Sequence, residues 1–167
     1  MTSAHRSRWS LLPAGAPERL LAVGAIGSAA AALLHMAIIV GGPDWYRFFG
    51  AGEGMARRAA SGSPVPTIVT SAIALVLGTW ALYGLSGAGV IVRLPFVRAI
   101  VTAVAAVYLA RGVLGVPVVF MGESRYMHEL RGKLTFMVLS SVACTVLGLC
   151  YGAGAVALWR RWPDRRA

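Results

Sequence analysis

Four long apolar runs constrain this chain more than any other feature, because each has about the length a helix needs to cross a bilayer. They extend roughly over Leu20–Val40, Pro66–Leu85, Phe96–Phe120 and Leu134–Leu158. A hydrocarbon core about 30 Å thick takes about 20 mostly apolar residues of α-helix. The second and fourth runs hold no charge. His35 is the one strongly polar side chain of the first, and the third carries Arg98 at its start and Arg111 inside. The runs are too long, and alternate too little, to be strands, and a helix satisfies its own backbone in lipid. The expected fold is all-α: a polytopic membrane protein built as a four-transmembrane-helix bundle, with residues 1–167 forming a single membrane domain. Arg6, Arg8 and Arg19 ahead of the first run imitate a signal peptide. The run exceeds the about 7–15 apolar residues of such a signal, so it is expected to be kept as a span.

Composition agrees. Hydrophobic residues make up 57% and charged residues only 13% of the chain, whereas soluble domains carry about 25% charged residues. An ordinary soluble enzyme is excluded, and so is a disordered basic chain, which would be poor in apolar residues. The net charge of +10 suggests nucleic acid at first sight. The basic residues are scattered between apolar runs instead of clustering on one polar face, so no nucleic-acid partner is expected.

The same charges state topology. The N-terminal segment, the short second connection (Ser86–Pro95) and the tail hold Arg6, Arg8, Arg19, Arg93, Arg98, Arg160, Arg161, Arg165 and Arg166 against Glu18 and Asp164. The other connections, Gly41–Ser63 and Met121–Lys133, hold Arg47, Arg57, Arg58, Arg125, Arg131 and Lys133 against Asp44, Glu53, Glu123 and Glu129. Basic residues favour the cytoplasmic side, so both termini are expected in the cytoplasm and the chain in an inner membrane. Trp9, Trp159 and Trp162 are then expected in one interfacial belt and Trp45 in the opposite one.

Helices in lipid associate through close packing at small residues and through interhelical hydrogen bonds. Gly24/Ser28, Gly27/Ala31, Ala99/Ala103, Ala106/Ala110 and Gly148/Gly152 offer such stripes, suited to a compact bundle or to a homo-oligomer. Pro117 is expected to kink the third span.

Arg111 is the leading candidate for function. A charge within a span costs at least about 2.5–3.5 kcal/mol and usually faces a bundle interior or a cavity. Tyr108 precedes it by three residues and Gly115 follows by four, leaving space beside it. His35 lies in the same half of the membrane. No acid lies inside any span, so Arg111 must find a partner elsewhere. Asp44 and Glu53 in the first long connection are candidates, as is a bound anion. That connection, DWYRFFGAGE, is rich in rings, with Trp45, Tyr46, Phe48 and Phe49. It reads as an interfacial anchor or as a lid, with Asp44 a helix N-cap and Glu53–Arg57 a favourable i,i+4 pair. The expected ligand-binding set is Arg111, Tyr108, His35, Asp44, Tyr46 and Glu53.

Several chemistries are not expected. Cys144 and Cys150 lie six apart in one helix, and there is no Cys-x-x-Cys. There is no phosphate-binding glycine loop and no nucleophile elbow. Glu123, His128 and Glu129 match no metal-binding spacing, and the methionines near His35 and His128 suit soft copper chemistry but also simply pack. No metal and no cofactor is expected.

The stretches LHMAIIVGGPDWYRFFGAGEGMAR, ALYGLSGAGVIVRLP and VYLARG resemble small four-span bacterial inner-membrane proteins of uncharacterised function, over about residues 30–155. In architecture the chain also resembles DoxX-like proteins. The resemblance implies the four-span fold and carries no activity. The preferred expectation is a non-enzymatic protein whose outward-facing polar site binds an anionic or amphiphilic ligand such as a lipid or a quinone, in addition to the lipid bilayer itself. The alternatives are a structural or accessory subunit with a membrane partner protein, and a membrane enzyme using His35, Glu53 or His128 as acid and base.

Overall fold

The computed structural model describes residues 15–121 and 124–160. Six helices follow one another: α1 (Ala16–Phe48), α2 (Glu53–Ala60), α3 (Val65–Gly87), α4 (Val97–Met121), α5 (Arg125–Arg131) and α6 (Leu134–Arg160), with no strand among the described residues. α1, α3, α4 and α6 are long and apolar enough to cross a membrane. Arg6, Arg8, Trp9, Glu123 and the tail with Arg161, Trp162, Asp164, Arg165 and Arg166 lie outside the described residues.

The chain forms two successive units of the same plan, long helix, short helix, long helix. α1 packs most closely on α3 and α4 on α6, while α1–α6 and α3–α4 contacts close the ring. α2 and α5 both lie at the end where the first long helix of each unit gives way to the second; this is the capped end. The opposite end carries the turn between α3 and α4. There the Ser86 hydroxyl donates to the Val92 carbonyl and accepts the Leu94 N–H. Trp159 sits beneath Arg98, 4.8 Å from the guanidinium carbon, and its indole N–H donates to Thr102.

The four long helices are apolar around their whole circumference, as lipid-facing helices are. What selects the inward face is side-chain fit. On α4 the buried positions are Val97, Val101, Val104, Ala105, Tyr108, Gly112 and Val119, a stripe at helical spacing. The alanines 99, 103, 106 and 110, expected as a packing stripe, lie on the exposed face. The interior is wide enough to need valine and tyrosine, and the alanine stripe lies elsewhere around the helix. Gly148 does pack closely: a Cβ there would come within 2.9 Å of the Leu109 backbone nitrogen. α4 continues through Pro117 as one helix.

The bundle centre is polar at one level. Ser28 is fully buried on α1, and its hydroxyl lies 2.9 Å from the Tyr108 hydroxyl of α4 and 3.1 Å from the Tyr151 hydroxyl of α6. Tyr151 donates to the Trp80 carbonyl of α3 at 2.9 Å. Since that phenol's proton is committed, Ser28 donates to Tyr151 and accepts from Tyr108. One directional chain, Tyr108 to Ser28 to Tyr151 to Trp80, therefore joins all four spans. Ring contacts reinforce it, with Tyr108 stacked on Tyr151 at 5.9 Å and edge-on to Trp80 at 5.1 Å.

Candidate functional site

The first long connection, expected to begin at Gly41, is mostly helical. α1 breaks at Gly42, with φ 68° and ψ −152°, a region open essentially to glycine alone. The helix then resumes at Pro43, where the lost N–H is no handicap. The ring-rich segment divides by helical periodicity. Tyr46 is buried against Ile38 and Ala56, and Phe49 packs edge-on to Phe136 at 6.1 Å. Trp45 and Phe48, each one residue earlier, point outward. The segment thus covers the bundle end with one face and leaves the other exposed. The Tyr46 hydroxyl is buried with no hydrogen-bond partner among the described residues.

Charges tie this cover down. Arg47 donates through Nε to Glu53 at 2.8 Å and through Nη1 to Asp44 at 2.9 Å. Asp44 thus serves Arg47, and among the described residues it accepts no helix N–H as a cap. The Glu53–Arg57 pair forms, at 3.4 Å. The Glu53 N–H donates to Glu129 of α5 at 2.9 Å, Tyr126 donates to the Gly50 carbonyl at 3.0 Å, and the Lys133 ammonium donates to the Arg47 carbonyl. The hydrogen-bonded Arg47 guanidinium holds the Glu53 carboxyl below the ordinary carboxylate range against the opposing effect of burial, with Arg57 adding to it. Between the two connections lies a half-open cavity of about 400 Å³, bordered by Arg47, Gly50, Gly52, Glu53, Glu129 and Lys133.

Arg111 does not border this cavity, although its charge reaches Tyr126, whose hydroxyl donates to the Gly50 carbonyl at the cavity edge. Tyr108 turns into the bundle centre while Arg111 is exposed on the outside of α4, so three residues of helix separate interior from surface. The guanidinium lies over Gly115, occupying space that a Cβ would take. Its Nη1 and Nη2 reach the Ser141 and Ser140 hydroxyls of α6, both at 3.4 Å. Among the described residues it has no carboxylate partner. Alongside runs an apolar groove between α4 and α6, about 290 Å³, bordered by Gly112, Val116, Val138, Ser141, Val142 and Thr145. His35 returns its Nδ1 to the Ala31 carbonyl of its own helix at 2.7 Å and makes no polar contact with Arg111.

The six expected site residues therefore do not converge on one site. Asp44 and Glu53 share Arg47 at the capped end, Tyr46 is buried against Ile38 and Ala56, Tyr108 belongs to the central hydroxyl chain, His35 serves α1, and Arg111 reaches Ser140 and Ser141 of α6. Sequence reasoning passed over Ser140, Ser141, Tyr151 and the pairing of Lys133 with Arg47. A signal for the serines existed, since Ser140–Ser141 is a polar pair in an otherwise apolar span, on the helix that follows Arg111. No group of three or more His, Cys, Asp or Glu able to hold a metal occurs among the described residues.

Four apolar helices around a hydroxyl-linked centre, capped at one end by two short charged helices, define the class as a multi-pass membrane protein. No protein-family model matches the chain, and no curated protein or solved structure matches it.

Proposed function

We propose that this is an inner-membrane protein that binds rather than catalyses, and that the α4–α6 groove holds an anionic lipid with its phosphate at Arg111. The capped end faces away from the cytoplasm, in keeping with the concentration of basic residues at the other end. The observation that carries the proposal is the exposed Arg111 guanidinium with no carboxylate beside it among the described residues. Arg111 stands ten residues before the end of α4 at Met121, or about 15 Å along the helix. A bare charge at that depth is costly. Its side chain runs toward the nearer surface, as snorkelling arginines do. A phosphate accepts the planar fork of a guanidinium in two parallel bonds, and Ser140 and Ser141 add hydroxyls beside it. The adjoining groove is apolar and suits an acyl chain. Neither His35 nor His128 makes a polar contact with Glu53 among the described residues, which favours binding over acid–base catalysis.

The test uses the protein in nanodiscs of a zwitterionic lipid, to which phosphatidylglycerol is added. Wild type is expected to gain thermal stability and to retain the anionic lipid in native mass spectrometry. Arg111→Gln should weaken retention about ten- to hundredfold, as loss of a charged hydrogen bond worth about 1.5–3 kcal/mol requires, while Arg58→Gln at an exposed site should not. Equal retention by Arg111→Gln and wild type would overturn the proposal. So would a neutral quinone that stabilises both equally while the anionic lipid stabilises neither.

A further inference from the structure

We infer that the Ser141 hydroxyl is the second donor of the Arg111 site, giving its proton to the same phosphate that the guanidinium binds, and that the neighbouring Ser140 hydroxyl gives none. The inference deepens the reading of the α4–α6 groove as an anionic-lipid site and rests on it.

Three hydroxyls of α6 stand at the site, on Ser140, Ser141 and Thr145, and proton accounting separates them. Ser140 donates to the Met137 carbonyl at 3.0 Å, and Thr145 donates to the Ser141 carbonyl at 2.9 Å. A hydroxyl has one proton to give, so both are spent within the helix. The Ser141 oxygen accepts from Arg111 Nη1, while its own proton has no acceptor among the described residues. Ser141 is only 5% exposed. A buried donor left without an acceptor is costly, and inside a span no water is at hand to relieve it. Position agrees with the accounting. Of the three, Ser141 alone both touches Arg111 and borders the groove.

The surroundings leave room for the ligand. A Cβ at Gly115 would stand 2.7 Å from the Ser141 oxygen and displace the guanidinium, so a glycine there lets the two groups meet. Both Arg111–serine contacts, at 3.4 Å, are longer than the about 2.7–3.2 Å of a full N–H···O bond. Three of the five guanidinium N–H donors stay uncommitted. A phosphate therefore takes the arginine fork without breaking a strong bond, and its oxygens accept the Ser141 proton as well. Val138, Val142 and Val146 border the groove four residues apart. They extend it about 12 Å along α6, away from the capped end, where an acyl chain fits.

Phosphate chemistry has two sources here, a lipid headgroup or free phosphate. The experiment measures thermal stability and ligand retention of the full chain in maltoside detergent, with phosphatidylglycerol or inorganic phosphate added. Without either, Ser141→Ala should unfold at or slightly above the wild-type temperature, because a stranded donor is gone. With phosphatidylglycerol, it should bind about tenfold more weakly or worse, as loss of a hydrogen bond to a charged group requires, and Ser140→Ala should stay within about twofold of wild type. Ser141-dependent stabilisation by inorganic phosphate alone would support the donor role and assign a solute in place of a lipid. The inference is overturned, with the lipid site intact, if Arg111→Gln loses the lipid and Ser141→Ala keeps it, or if Ser140→Ala loses as much as Ser141→Ala. It is overturned too if Ser141→Ala lowers only the ligand-free unfolding temperature, which is the mark of a structural hydroxyl. If neither ligand stabilises wild type, the site reading itself fails and takes the inference with it. Ser141→Cys, close in size and a weak donor, gives the same comparison should the alanine variant not fold.

Discussion

Gly42 is where a single side chain most directly governs the architecture. Its φ of 68° and ψ of −152° belong to a region that any Cβ makes costly, by about 1–3 kcal/mol. No atom lies within 4 Å of an added Cβ there, so the penalty of Gly42→Ala is backbone strain without a clash. The expected outcome is a loss of about 1–3 kcal/mol in unfolding free energy, accompanied by faster proteolysis between α1 and α2. An alanine variant as stable as wild type would show that the break can be made elsewhere. Arg111 illustrates a different point at the same scale. Its depth, its isolation from acids within the spans and the space at Gly115 follow from residue spacing. Its direction does not. Tyr108 and Arg111 are three apart, and sequence spacing puts them on one broad face, yet the edge between interior and surface passes between them. That edge is set by which neighbour α4 meets, a tertiary fact that spacing does not contain.

Among the elements, α2 is the one whose attachment is electrostatic at its first turn. Glu53 opens the helix, pairs with Arg47 and Arg57, and passes its N–H to Glu129. Its carboxyl titrates below the ordinary range because Arg47 hydrogen-bonds it, so the folded value lies beneath the unfolded one of about 4.3. A depressed carboxylate contributes stability that is complete above the unfolded value and is lost as pH falls through the folded one. Amide exchange of α2, corrected for intrinsic rates, should therefore stay constant from pH 7 to about 5 and rise once pH drops below about 4. Glu53→Gln should show the raised exchange at every pH. Protection of α2 that is unchanged at about pH 3 would mean that apolar contacts, chiefly the buried Ala56, hold the helix without the ion pair. The Glu53–Arg57 pairing was legible because it is local to one helix. The Glu53–Glu129 and Arg47–Lys133 contacts were not, because they join residues 76 and 86 positions apart.

At the scale of the whole molecule, the number of spans and their alternation were legible, since hydropathy and length alone define them. Which faces meet was not, because all four helices are apolar all round and no polar face marks the outside. The hydroxyl chain supplies the missing specification. Ser28→Ala should leave the Tyr108 proton and the Tyr151 oxygen without their partner and cost about 1–2 kcal/mol, measured as unfolding free energy in micelles. A cost near zero would mean that the phenols find each other directly. The chain also imposes an order in time. Tyr151, which accepts the Ser28 hydrogen bond, lies in α6, the last of the four spans to be synthesised. A polypeptide halted before α6 has its first unit, α1 to α3, but lacks the Tyr151 acceptor for Ser28 and the helix on which α4 packs most closely. Insertion of α6 is thus the event that joins the four described spans through one hydrogen-bonded centre.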